Sequence, residues 1–189
     1  VSEGVRRLEV EGLVVLDADR TVRLTDAGRD VATRVLRKHR LAERLLVDVL
    51  GLEHEHVHEE ACRWEHVISD RVEERLAAFL GNPTTSPYGN PIPGAVGGDD
   101  HGVLVPLADV ADGLVRLVRF SEQVQGEQDV MHAMDEAGLG AGTLASATRG
   151  ADGVTLELDG HVVLVPTDAA RLLYVAPGGA AAGRPNTTA

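Results

Sequence analysis

The chain has 189 residues, with 18 Lys and Arg against 30 Asp and Glu, and a single cysteine, Cys62. That length fits one large domain or two small ones, and a lone cysteine excludes an internal disulfide framework. The net charge of −12 would argue against nucleic-acid binding if it were uniform, since phosphate contacts need Lys and Arg. However, residues 1–50 hold 10 basic and 9 acidic side chains (+1), and residues 51–189 hold 8 and 21 (−13). No apolar run approaches the ~18 residues of a membrane span, and no signal-peptide pattern opens the chain, so a cytoplasmic protein without a membrane partner is expected. At 3% aromatic content, base-stacking platforms for single strands are not expected.

In chain order, residues 1–11 place Val1, Val5 and Leu8 on one helical face, and Gly12 ends that helix. LVVL (13–16), a turn at Asp17–Arg20 and TVRLT (21–25) form a hairpin pattern. Thr25-Asp26 starts a long helix by side-chain capping. Val31, Val35, Leu36, Leu41, Leu45, Leu46, Val49 and Leu50 give this helix a broad apolar face up to Gly51. A second helical stretch covers 54–80, with a break near Ser69-Asp70, and its apolar face, including Trp64, is the expected dimer surface. Pro and Gly crowd 81–102, which is either a linker or an ordered run of turns. Alternating apolar and polar residues over 103–119 and 143–175 predict strands around one helix at 127–137, and 176–189 is predicted to be a disordered tail.

Metal-ligand chemistry is concentrated between 39 and 66, where five of the eight histidines lie. His39-x3-Glu43 puts an imidazole and a carboxylate on one helical face, as a ligand pair or as a solvated ion pair. His58, Cys62, Glu65 and His66 span an arc of about 100° on one helix. Their mixed N/S/O donors suit Fe(II), Co(II), Ni(II) or Zn(II) better than Mg(II) or Ca(II). The competing reading is a buried cysteine with charged helical neighbours. His54 and His56 flank the helix start as surface residues or adventitious metal binders. Arg40 with the Gly/Pro-rich turn around Ser86 and Asn90 can hold an anion or lock the loop on a helix. Taken alone, Glu122-x2-Gln125 carries no signal. Phosphate-loop, nucleophile-elbow and zinc-protease motifs are missing, so an enzyme is not expected.

GLVVL (12–16), LTDAGR (24–29), RKHRLAERLL (37–46), VHEEACRWEHVISD (57–70) and SPYGNPIPG (86–94) together make the chain resemble the diphtheria toxin repressor and iron-dependent regulator family. The resemblance implies a mainly α protein with β structure. Its parts would be a partial winged helix-turn-helix over 1–33, a helical metal-binding and dimerisation domain over 34–80, a linker over 81–102 and an SH3-like β-barrel over 103–175.

The resemblance further implies a homodimeric repressor of iron-uptake genes, activated by Fe(II), with Mn(II), Co(II), Ni(II) or Zn(II) as substitutes, that binds operator DNA. One metal site would use His39, Glu43 and His58, with Glu122 and Gln125 reaching in from the SH3-like domain. A second would use Cys62, Glu65 and His66 with a residue, typically Met, from the family's first helix, expected ahead of Val1, and Arg40, Ser86 and Asn90 would form an anion pocket. In that alignment Val1 falls inside the recognition helix, so Ser2, Glu3 and Arg6 are the DNA-facing positions and two helices are expected ahead of them. Glu3 stands where the family usually has Gln, and Gly4 weakens the helix by about 1 kcal/mol relative to Ala. Two other classes stay open: a metal buffer or sensor without DNA binding, and a metalloenzyme with an open coordination position.

Overall fold

The computed structural model describes residues 2–97 and 101–178. Val1 of the first apolar face, residues 98–100 of the expected linker and 179–189 of the expected tail lie outside the described residues. Helix α1 (Glu3–Val10) is capped by Ser2, whose hydroxyl accepts from the Val5 N–H. It leads to the antiparallel hairpin β1 (Val14–Leu16) and β2 (Val22–Leu24), with Arg20 at a positive φ of 69° in the turn.

Helix α2 (Asp26–Arg44) starts where capping chemistry places it, with the Thr25 hydroxyl accepting from the Gly28 N–H at 3.0 Å. The hydroxyl also donates to the Gly12 carbonyl at 2.7 Å, so one side chain fastens the hairpin to the helix. Gly28 is required here, because a Cβ would lie 1.9 Å from the Leu13 carbonyl oxygen. The apolar face runs on past Arg44, but the last turn over Leu45–Val49 widens to i→i+5 bonding, with Leu50 N–H reaching Leu45 O. Val49 and Leu50 are consequently exposed, contrary to their place on the predicted face.

The predicted helical stretch 54–80 is two helices, α3 (His54–Trp64) and α4 (Asp70–Phe79), divided by the N-cap Ser69. The Pro/Gly-rich segment is not a free tether. Residues 82–95 form a strap in which Ser86, Tyr88, Asn90 and Ile92 are buried. Three arginines on successive turns of α2 hold its carbonyls: Arg37 donates to Pro93, Arg40 to Pro91, and Arg44 to Thr85 and Ser86.

A six-stranded antiparallel sheet follows, in the order β3 (Val105–Pro106), β8 (Leu173–Pro177), β4 (Gly113–Phe120), β5 (Leu144–Arg149), β6 (Gly153–Leu158), β7 (His161–Pro166). Two helices interrupt it after β4: α5 (Glu122–Gln125), which the sequence pattern misses, and α6 (Gln128–Glu136). A short helix, α7 (Thr167–Ala170), precedes β8. Val118 drops out of register at a bulge in β4. Its carbonyl lies against the strap so closely that a Cβ on Gly89 would be 1.8 Å from the oxygen. One apolar core runs from Ala42, Leu46, Val57 and Ala61 of the helices through Tyr88 to Val124, Met131 and the sheet, so the two halves share an interior.

Candidate metal centre

Helices α2 and α3 pack so that His39, His58 and Cys62 each present a ligand atom within 4.8 Å of the others. The His39 and His58 rings meet edge to face at 5.1 Å, and Cys62 Sγ is 3.7 Å from His58 Nε2. His39 is buried and clamped at both nitrogens, with Nε2 3.0 Å from Glu43 Oε1 and Nδ1 2.7 Å from Glu65 Oε2. Glu43 is fully buried. The i, i+4 spacing therefore does bring His39 and Glu43 together, in the interior and not on a solvated face.

Charge balance in the cluster is unusual. Burial alone would pull the His39 imidazolium below its usual range, but hydrogen bonding and attraction from Glu43 and Glu65 outweigh it, and the net shift is upward. His58 moves the other way, lowered by burial and by its neighbour His39. Burial and the surrounding carboxylates, Glu65 first, push the Cys62 thiol up. The site thus gathers Glu43 and Glu65 around His39, His58 and Cys62, an arrangement a cation would neutralise.

Buried polar atoms without partners test whether these residues fit a metal. Among the described residues five such side-chain atoms occur, and three of them are Glu43 Oε2, His58 Nδ1 and Gln125 Oε1. Leaving such atoms unpaired is costly, so they are expected to be satisfied by something the protein takes up. They are of the right kind for a divalent ion: carboxylate oxygen, imidazole nitrogen and amide oxygen.

Glu122 and Gln125 come from α5, beyond the strap. Glu122 shares a cavity wall with His39, His58, Cys62 and Glu65, while its Oε1 accepts from Arg40 at 2.7 Å. Gln125 lines a second, smaller cavity with His58 and Cys62. Sequence spacing could not have found either residue. His66 is where the helical arc fails, because α3 ends at Trp64 and the chain turns. Its side chain is exposed, and among the described residues its ion-pair partner is Glu65, at 3.2 Å. Glu65 thus links His39 on one side to His66 on the other, so the structure does not divide the residues into the two sets expected.

The remaining expected site residues have local roles. Ser86 Oγ accepts from the Tyr88 N–H at 3.2 Å, and Asn90 Nδ2 donates to the Phe120 carbonyl at 2.7 Å, so both brace the strap. Arg40 spans Pro91 and Glu122, and its buried Nε has no partner. Ser2 caps α1, Glu3 lies in the first turn, where a carboxylate suits the helix dipole, and Arg6 is exposed. The sequence also gave no sign of the Tyr88 hydroxyl donating to the His54 carbonyl at 2.8 Å, which ties the strap to the start of α3.

The histidine–cysteine–carboxylate cluster lies between two helices, beside an antiparallel sheet, and the relatives of the chain are metal-dependent transcriptional repressors, which are not enzymes. Residues 25–94 match the family described as "Iron dependent repressor, metal binding and dimerisation domain". The iron-dependent repressor IdeR of Mycobacterium tuberculosis is 46% identical over 188 residues, 93% of this chain and 81% of the relative. The diphtheria toxin repressor of Corynebacterium diphtheriae is 42% identical over 172 residues, 87% of this chain and 73% of that protein. A solved manganese-dependent transcriptional repressor in complex with manganese superposes with a TM-score of 0.76 at 33% identity, covering 92% of this chain and 82% of that one. The chain belongs to the diphtheria toxin repressor family of metal-dependent transcriptional repressors. Among the described residues, no helix is long and apolar enough to cross a membrane.

Proposed function

We propose that this protein is an iron-responsive repressor whose metal is held by His39, Glu43, His58 and Gln125, with Cys62, Glu65 and Glu122 completing the donor set and His66 at its rim. The observation that carries this reading is that buried side-chain atoms without partners remain on Glu43, His58 and Gln125, which come from three different elements. A bound divalent ion supplies the positive charge that Glu43, Glu65 and Glu122 lack. The sulfur donor favours Fe(II) over Mn(II), and Co(II), Ni(II) and Zn(II) are workable substitutes.

In this reading, α1 with Ser2, Glu3 and Arg6 belongs to the recognition helix of a winged helix-turn-helix, and the β1–β2 hairpin, with Arg20 and Arg23, is its wing. Residues 103–175 are the SH3-like unit, which delivers Glu122 and Gln125. The protein is a cytoplasmic homodimer. The exposed apolar side chains Val67, Val72 and Phe79, on and before α4, form the face that a second copy covers. Arg40, Ser86 and Asn90 line an anion pocket beside the metal. A two-fold pair of reading heads matches operator half-sites about one helical turn apart.

The test is selection of duplexes from a random library by the full-length protein with Fe(II), followed by fluorescence anisotropy with and without the metal. A palindromic site bound only with Fe(II) is the expected result. Stoichiometric metal uptake with no metal-dependent duplex binding would replace this reading with that of a metal buffer.

A further inference from the structure

We infer that Asn90 is a positioning residue for the metal centre, acting through the Phe120 carbonyl to set the side-chain amide of Gln125. The inference rests on Gln125 being a ligand, as proposed above. Phe120 O accepts two hydrogen bonds, from Asn90 Nδ2 at 2.7 Å and from Gln125 Nε2 at 2.8 Å. All three residues are buried.

An amide carries its donors and its acceptor on opposite branches. With Nε2 committed to Phe120 O, Gln125 Oε1 is turned away from that carbonyl, and it is the atom left without a partner. A carbonyl facing the flipped amide would set oxygen against oxygen, so the Phe120 carbonyl dictates which end of Gln125 is free. The carbonyl is itself pinned from the strap, where Asn90 takes its other lone pair and Tyr88 O accepts from the Phe120 N–H at 3.0 Å.

The strap in turn is set by α2, the helix that carries His39 and Glu43. Arg40 and Arg44 hold the carbonyls of Pro91, Thr85 and Ser86 on either side of Asn90. The close approach of Gly89 to Val118 O at the β4 bulge leaves the strap no slack. Asn90 is therefore a point, beside the direct Arg40–Glu122 ion pair, at which the position of the ligand-bearing helix α2 is passed to Gln125 on α5. Groups that orient metal ligands matter for affinity by about 10–100-fold when removed.

Co(II) titration of the wild type, Asn90→Ala, Gln125→Ala and the double variant, read by calorimetry and by the visible ligand-field spectrum, tests this. Both single variants are expected to lose about tenfold or more in affinity. They should share one altered Co(II) spectrum, and the double variant should add nothing further. Unchanged binding in Gln125→Ala would remove the ligand assignment and the inference with it. A weakened Gln125→Ala beside an Asn90→Ala that keeps wild-type affinity and spectrum would overturn the inference alone. Asn90→Asp keeps the shape but sets a carboxylate against Phe120 O, and it covers the case in which the alanine variant folds poorly. Faster hydrogen exchange of the Gln125 side-chain amide is expected in the metal-free protein of either Asn90 variant, and wild-type exchange contradicts the role.

Discussion

Residues 3–24 and the α2–α3 pair are held in different ways. Helix α1 buries no residue, and the hairpin buries only Val14. Its attachment to the rest is concentrated at Leu13, Thr25 and Gly28, where the helix start touches the β1 entry. In contrast, α2, the widened turn after it and α3 bury Ala42, Leu46, Val57 and Ala61 in a core shared with the sheet, and α2 buries Leu41 in a satellite cluster with α4 and the strap. The difference is one of burial: the α2–α3 pair is packed into a core shared with the sheet. The N-terminal unit buries little and meets the rest chiefly at the Leu13–Thr25–Gly28 joint.

The contrast breaks first at Leu41, which is buried in the satellite cluster with Leu76, Ala77 and Ile92. Leu41→Ala should cost roughly 2–5 kcal/mol, whereas Val10→Ala, at an exposed position, should stay within about 0.5 kcal/mol. Urea unfolding of both variants checks the pair, and similar losses would erase the distinction between the two regions.

A smaller effect is expected at the joint. Gly28→Ala forces a methyl group onto the Leu13 carbonyl, and overpacking of this kind costs about 1–3 kcal/mol. The amides of α1 and the hairpin should lose hydrogen-exchange protection while Ni(II) affinity is unchanged. Loss of metal binding in this variant would show that the N-terminal unit is not fastened separately.

The smallest effect concerns the α3–α6 seam, where His132 Nδ1 lies 2.5 Å from Glu55 Oε2. The hydrogen bond to Glu55, followed by attraction from Glu55 and Glu136, raises the His132 pKa. Stability from a raised histidine is present below the unfolded value of about 6.5 and is lost as pH rises through the folded value. The melting temperature of the wild type should therefore exceed that of His132→Gln at pH 5.5–6, and the difference should close at alkaline pH. A gap independent of pH would rule out an ionic contribution at this seam.

Much of the helical half is legible in the sequence because its signals are local. Thr25-Asp26 marks the start of α2, Ser69 marks the division between α3 and α4, and i, i+4 spacing pairs His39 with Glu43. Local signals fail where a residue's surroundings come from elsewhere in the chain. The arc containing His66 assumes that the helix continues, but α3 stops at Trp64. The Pro/Gly composition of 81–102 describes turns without revealing the arginines of α2 that pack them. Gln125 has no local signature, since its importance lies in one unpaired oxygen between distant elements. Family resemblance supplied Glu122 and Gln125 where spacing could not.

The central claim is that the buried cluster between α2 and α3 binds a divalent ion. Calorimetric titration of Ni(II) into the wild type, His39→Ala and His58→Ala tests it most directly. Each variant is expected to stay folded and to lose a binding event or at least about tenfold in affinity. Unchanged affinity and stoichiometry in both variants would contradict it.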